Sequence, residues 1–233
     1  MTPKKIYRLA NLFICLFFFG LSSFAQNVES DKPLLSQLKV VSEEIDSEGF
    51  INRVVEYKQG RMIVTEMIRV PAILPQPDYQ LSKPEEKEAL KIHIYKSKRC
   101  LVVKLGKKII KTYKASLGPQ PDMDKKMEGD RCTPEGKFTI VRINPKSKYN
   151  IFMQLNYPNE QSWEKFNERK NLGKIPKQAK IGGDIGIHGI WKGGDDMIEM
   201  GVGWTDGCIA LKNKDVEELN ELIHVGTEVY IYK

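Results

Sequence analysis

Runs long and apolar enough to cross a bilayer are missing from this sequence. The longest, Leu12 to Phe19, falls well short of the ~20 residues that a spanning helix needs. Histidine is scarce, with three among 233 residues, and no His or Cys pair stands at zinc-ligand spacing. Neither a metal nor another cofactor is therefore expected. Long blocks of one charge are also absent, because Lys and Glu alternate along the chain. That argues against nucleic acid as a partner despite a net charge of +7. No internal repeat or low-complexity tract is visible.

What is present begins with Lys4, Lys5 and Arg8, then the apolar run, then Gly20, Ser22, Ser23 and Ala25. This is the layout of a secretory signal peptide, with Ser23-Phe24-Ala25 as a small-x-small cleavage pattern, so residues 1–25 are expected to be a leader. Export to the periplasm or cell envelope follows. Cys15 comes after the bulky Ile14 and inside the apolar run, which places it in the discarded segment. The leader carries three positive and no negative side chains, so the remaining chain has a net charge of about +4. A charge of that size suits an anionic polymer or surface.

Residues 26–88 read as an N-terminal extension. FINRVVEYKQGRMIVTEMIRV (Phe50 to Val70) contains two β-branched runs around Lys58-Gln59-Gly60-Arg61, a hairpin pattern. Prolines at 71, 75, 77 and 84 then mark a stiff linker or a segment crossing a surface, whereas residues 26–49 are polar and uninformative. From residue 89 to 233 the pattern is that of short strands: KIHIYKS, CLVVKLG, KKIIKTYKASLG and, after a long polar stretch, GKFTIVRI. Two helices are predicted, over Asn159 to Lys170 and over Asn213 to His224, with Asn213 as N-cap and Gly226 just past the end. TEVYIYK alternates again and is expected to close the sheet. The fold class is thus mainly β with two or three short helices.

Three cysteines follow the leader: Cys100, Cys132 and Cys208. In an exported chain two of them can pair, leaving a free thiol as a candidate reactive group; Cys100 and Cys132 could be that pair, or Cys132 could equally be a small hydrophobe near the pocket. Cys208 follows Gly207, which frees the backbone for close approach and lets successive amides aim at an oxyanion. His188 lies in the strand-like IGIHG, flanked by glycines that let a substrate near. A thiol needs such a base, because its unperturbed pKa of ~8.5 leaves little thiolate at neutral pH.

IHG (Ile187 to Gly189), sixteen residues from Gly189 to Trp204, and TDGC (Thr205 to Cys208) together resemble the pattern of the YkuD-type L,D-transpeptidase domain. GDRCTPEGKFTI (Gly129 to Ile140) is similar to that family's substrate-side strand. LGPQPDMDKKMEGD (Leu117 to Asp130) and LNYPN (Leu155 to Asn159) resemble the branch of murein transpeptidases that contains the YafK proteins. The resemblance spans residues 91–233 and implies a β-sandwich-like catalytic fold.

It also implies roles. Cys208 is the nucleophile, His188 the base, and the Gly189 carbonyl orients the imidazole. The amides of Gly207 and Cys208 form the oxyanion hole, and Thr205 holds the turn or contacts substrate. The implied reaction is acyl transfer through a Cys thioester on a peptidoglycan tetrapeptide stem, cleaved after its third residue. The acceptor is an amine of another stem or of a cell-wall-attached protein. Asp206 departs from the family, where His or Arg is common, and should point away or pair with a cation.

Blander readings stand beside these. Trp191 and Trp204 bracket the loop between base and nucleophile and serve either as lid residues on substrate or as core. Arg131, Lys192 and Arg142 are candidate carboxylate ligands or solvated charges. His93 is expected on the surface face shared with Lys91 and Tyr95, and His224 is expected to be structural. Two other functions compete: a murein amidase or carboxypeptidase using the same Cys-His site with water as acceptor, and a non-catalytic cell-wall-binding module. The oligomeric state is left open.

Overall fold

A computed structural model describes residues 5–8, 38–59 and 61–233. The expected leader lies outside the described residues, apart from a short strand β1 (Lys5–Arg8) that pairs in parallel with β4. Residues 38–71 form the rest of one sheet: β2 (Lys39–Ile45), β3 (Phe50–Gln59) and β4 (Met62–Pro71), in the order β1-β4-β3-β2. The hairpin is where its pattern placed it. β2 was not visible in the polar stretch before it, because its seven residues are all exposed and carry no apolar alternation.

The second sheet has eight strands: β5 (Leu90–Tyr95), β6 (Cys100–Leu105), β7 (Lys108–Lys114), β8 (Gly136–Ser147), β9 (Asn150–Leu155), β10 (Gly186–His188), β11 (Ile209–Ala210) and β12 (Glu228–Tyr232). Their order is β11-β10-β9-β8-β12-β5-β6-β7. The C-terminal strand therefore does not finish an edge. It inserts between β5, which it joins in parallel, and β8, which it meets antiparallel. Its inward residues Val229 and Ile231 are buried with Ile92, Ile94, Leu101 and Val103. Each such side chain contributes roughly 1.5–3 kcal/mol by leaving water.

Among the described residues, three α-helices, α1 (Glu160–Asn171), α2 (Asp195–Met200) and α3 (Asn213–Leu222), and a 3-10 helix at Pro84–Ala89 complete the fold. α1 starts as predicted, with Asn159 Oδ1 accepting the Ser162 N–H at 3.0 Å. α3 differs. Lys212 occupies the N-cap position, and Asn213 instead ties two loops together: its N–H donates to Asp195 Oδ1 at 3.2 Å, and its Oδ1 accepts the Ile190 N–H at 3.1 Å. α2, lying in a Gly- and Asp-rich stretch, was not foreseen. The proline-rich segment crosses a surface, with the Asp78 N–H bonded to the Ile109 carbonyl at 2.9 Å on the edge strand β7. No described helix is long and apolar enough to cross a membrane.

The two sheets share a second, smaller core. Val55, Tyr57, Val64 and Ile68 from the first sheet are buried with Ile190, Met197, Ile198, Val202 and Ala210 from the second unit. A polar contact reinforces it. Arg53 Nη1 donates to the carbonyls of Glu199 and Met200, satisfying two of the orphan acceptors at the end of α2. The first sheet thus braces the segment that runs from His188 to Cys208.

Candidate active site

β10 and β11 run parallel, with Ile187 opposite Ile209 and His188 opposite Ala210. One more step of that register sets Cys208 beside Gly186. His188 and Cys208 then project from the same face of the sheet, because side chains alternate with a period of two. Two residues along and one strand across put their Cα atoms on the order of 8 Å apart, close enough for the side chains to meet. The Gly186 amide indeed faces the Cys208 sulfur.

His188 is buried, and its Nδ1 lies 2.6 Å from the Gly189 carbonyl oxygen. A carbonyl only accepts, so Nδ1 carries the proton and Nε2 of the neutral ring keeps its lone pair. Gly189 is needed for this approach, since a Cβ there would sit 2.5 Å from Asn213 Oδ1 and 2.7 Å from the Tyr149 carbonyl. The imidazole is packed by aromatic rings: Tyr149 stacked at 4.9 Å, Phe152 at 6.1 Å, and Trp204 edge-on at 5.6 Å. Sequence patterning pointed to neither Tyr149 nor Phe152. Only the antiparallel pairing of β9 with β10, which sets Phe152 opposite His188, would have marked one of them.

Cys208 is half-buried and free, as are the buried Cys100 and Cys132, so no disulfide singles out the reactive thiol. Its Sγ–H donates to the Asp184 carbonyl at 3.4 Å. Burial pushes the thiol up to about 11, and the carboxylates of Asp206 and Asp184 add to that, against the Gly186 amide and Lys125. The resting sulfur is therefore a thiol, and a base must take its proton as substrate engages.

The turn before it is polar and tightly clamped. Thr205 Oγ1 donates to the Cys208 carbonyl at 2.7 Å and accepts the Gly207 N–H at 3.3 Å. Thr205 thus holds the turn. The Gly207 amide, expected at the oxyanion, points at that hydroxyl through a long contact rather than standing free. Gly207 itself has φ 128°, and a Cβ there would meet the Cys132 carbonyl at 2.6 Å, so no other residue fits. Asp206 does pair with a cation: Arg131 Nε lies 2.9 Å from its Oδ1, and Arg131 Nη2 donates to the Trp204 carbonyl at 3.1 Å. Arg131 is thereby committed to the turn, where a substrate carboxylate had been expected.

Trp191 packs edge-on against Trp204 at 4.9 Å and beside the first sheet's apolar face, so it lines the shared core as much as the site. Lys192 and Arg142 are exposed. His93 lies on the outer face, stacked on Tyr230, and His224 pairs with Glu88 at 3.2 Å.

The polar stretch 118–135 is an ordered wall of the site. Lys96, fully buried, pairs with Glu135 at 2.7 Å and donates to the carbonyls of Met123 and Thr133. Asp130 accepts from Lys125 and from the amides of Lys126, Met127 and Cys132. Burial raises the Asp130 pKa, but these donors hold it below the usual carboxylate value. Among the described residues no group of three or more His, Cys, Asp or Glu could hold a metal.

An imidazole of fixed tautomer and a thiol that project from the same face of the sheet, the thiol just ahead of the neighbouring strand, form an arrangement that a thiol nucleophile and its base could use. Residues 90–231 match the family model of the L,D-transpeptidase catalytic domain, YkuD, and the chain belongs to that family. Several solved structures are similar. An L,D-transpeptidase from Xylanimonas cellulosilytica has 16% identity over 69% of this chain and 65% of its own, with a TM-score of 0.40. One from Mycobacterium tuberculosis H37Rv has 13% identity over 77% and 66%, with a TM-score of 0.39. The catalytic domain from E. faecium L,D-transpeptidase has 14% identity over 61% and 96%, with a TM-score of 0.41. The chain thus spans just under two thirds of the first two. A search of curated protein sequences finds no match.

Proposed function

We propose that this chain is exported, loses residues 1–25, and acts on peptidoglycan stem peptides as a cysteine acyltransferase. Cys208 Sγ adds to the carbonyl of the third residue of a tetrapeptide stem as His188 Nε2 takes its proton. The amide C–N bond breaks, the leaving D-alanine amine receives that proton, and a thioester remains. An acceptor amine then attacks the thioester, and the sulfur leaves with its proton restored. The supporting observation is the 2.6 Å bond from His188 Nδ1 to the Gly189 carbonyl, which leaves Nε2 as a base on the face from which Cys208 projects.

Water competes with the amine, and transfer needs a site that positions one and delays the other. The resemblance of residues 117–130 to the YafK branch keeps hydrolysis of a protein-to-murein link as the second reading. The test is D-alanine release from tetrapeptide muropeptides by residues 26–233. Cys208→Ala should abolish it, and release at the wild-type rate would overturn the proposal. Mass gained by an acceptor stem marks transfer, whereas free tripeptide alone marks hydrolysis.

A further inference from the structure

The floor beside the thiol carries a charge that acyl transfer by Cys208 and His188 leaves unused. Gly186 lies opposite Gln154 on β9. The Gln154 side chain therefore projects from the same face as those of His188 and Cys208. Gly186 keeps the floor bare between the thiol and Gln154, since a Cβ there would sit 2.6 Å from the Met153 carbonyl and 2.7 Å from the Phe152 ring. Two strand spacings put Gln154 on the order of 10 Å from Cys208.

Asp184 brings a carboxylate to this floor. Its carbonyl accepts the Cys208 thiol proton, with the sulfur at 3.4 Å, and its Oδ1 accepts from Gln154 Nε2 at 3.3 Å. The backbone at Asp184 is left-handed, with φ 55°, a conformation that Asp and Asn tolerate better than most side chains. The carboxylate is exposed and has no ion pair among the described residues. Its neighbours differ, because Asp206 pairs with Arg131 and Asp130 with Lys125, each at 2.9 Å. The Asp184 charge is also close enough to the sulfur to help keep the thiol protonated. It works against the nucleophile until a cation offsets it.

The reaction itself narrows the choice of cation. An acceptor amine attacks through its lone pair, and an ammonium held by Asp184 has none, so binding the acceptor there would silence it. The side chain of the donor's third residue meets no such conflict. Extended from the carbonyl that the sulfur attacks, a side chain as long as that of lysine or diaminopimelate spans the gap to Asp184 and Gln154.

We propose that Asp184, held by Gln154, is a specificity-determining residue that binds the side-chain ammonium of the donor stem's third residue. This rests on the proposed function and deepens it by naming what the chain reads at that position: a free, charged distal amine. Bound there, the ammonium offsets the carboxylate beside the sulfur, so recognition of the stem and activation of the thiol are coupled.

The test compares tetrapeptide donors carrying L-lysine, meso-diaminopimelate or Nε-acetyl-L-lysine at the third residue. With no acceptor present, acylation of Cys208 in residues 26–233 is followed by intact-protein mass spectrometry. At least one charged donor should acylate about fivefold faster than the acetylated one, the upper end for a pair in contact with solvent. Asp184→Asn keeps the bond to Gln154 and suits the left-handed backbone, and it should abolish that preference. The same substitution should speed alkylation of Cys208 by iodoacetamide at pH 8 severalfold in the absence of substrate. A variant that had merely lost structure at the turn would not pair a faster thiol with a lost preference. Calorimetry of the matching tripeptides with the Cys208→Ala chain reads the subsite without chemistry. If no donor acylates Cys208 but a fivefold binding preference is seen and Asp184→Asn removes it, the subsite stands and the proposed function fails. Equal rates and equal binding for charged and acetylated peptides, or a preference that survives Asp184→Asn, overturns the subsite. So does a preference that appears only when the charged amine is on the acceptor.

Discussion

The proposed base and the proposed nucleophile are held by different materials. His188 sits among aromatic faces from β9 and the 190–204 segment, with one hydrogen bond fixing its tautomer. Cys208 sits at the end of a turn held by hydroxyl, guanidinium and carbonyl contacts, with a glycine where no Cβ fits. The difference follows from what each group must do. A ring can be oriented by packing against its faces, whereas a thiol that substrate must reach needs its backbone fixed by directional bonds.

The comparison can be broken at several points. The largest effect concerns the sulfur's proton. With the thiol pushed up to about 11, a raised value keeps it protonated at neutral pH. Alkylation of Cys208 by iodoacetamide should therefore keep climbing, about a thousandfold between pH 7 and pH 10. A plateau already reached near pH 7 would mean a resting thiolate and a different division of labour.

Lys96→Met comes next. It leaves Glu135 and two carbonyls without their buried cation, so urea unfolding should show a loss of roughly 3–5 kcal/mol. Thr205→Val keeps the shape but strands the Gly207 N–H and the Cys208 carbonyl, for a loss of roughly 1–3 kcal/mol and a drop in kcat. If instead kcat were untouched, the turn would not be what positions the sulfur. The smallest effect is that of Arg131→Gln. Its pair with Asp206 is solvent-exposed, so stability should change by less than ~1 kcal/mol, as read by the shift in urea midpoint.

Much of this was legible in the sequence, for reasons that also explain what was missed. β5 alternates buried and less buried residues along its length, whereas β6, buried on both faces from Cys100 to Val103, was legible as a β-branched apolar run. Cys208 and His188 were singled out in glycine-flanked motifs, and the resemblance to the YkuD-type domain pointed to the Gly189 carbonyl, which lies 2.6 Å from His188 Nδ1. Lys96, Tyr149 and Arg99 were not readable. Their partners lie in distant segments, and a buried lysine or arginine looks in sequence like any solvated one. The N-cap at Asn213 was misplaced for the same reason: tertiary bonds to Asp195 and Ile190 outweighed the local capping preference.

The most direct test of the central claim is intact-protein mass spectrometry of residues 26–233 after mixing with a tetrapeptide muropeptide. The account predicts a transient mass increase equal to the stem minus D-alanine, mapped to Cys208 and formed far more slowly in His188→Gln, which lacks the base that takes the thiol's proton. An adduct on Cys100 or Cys132, or one that survives Cys208→Ala, would contradict it.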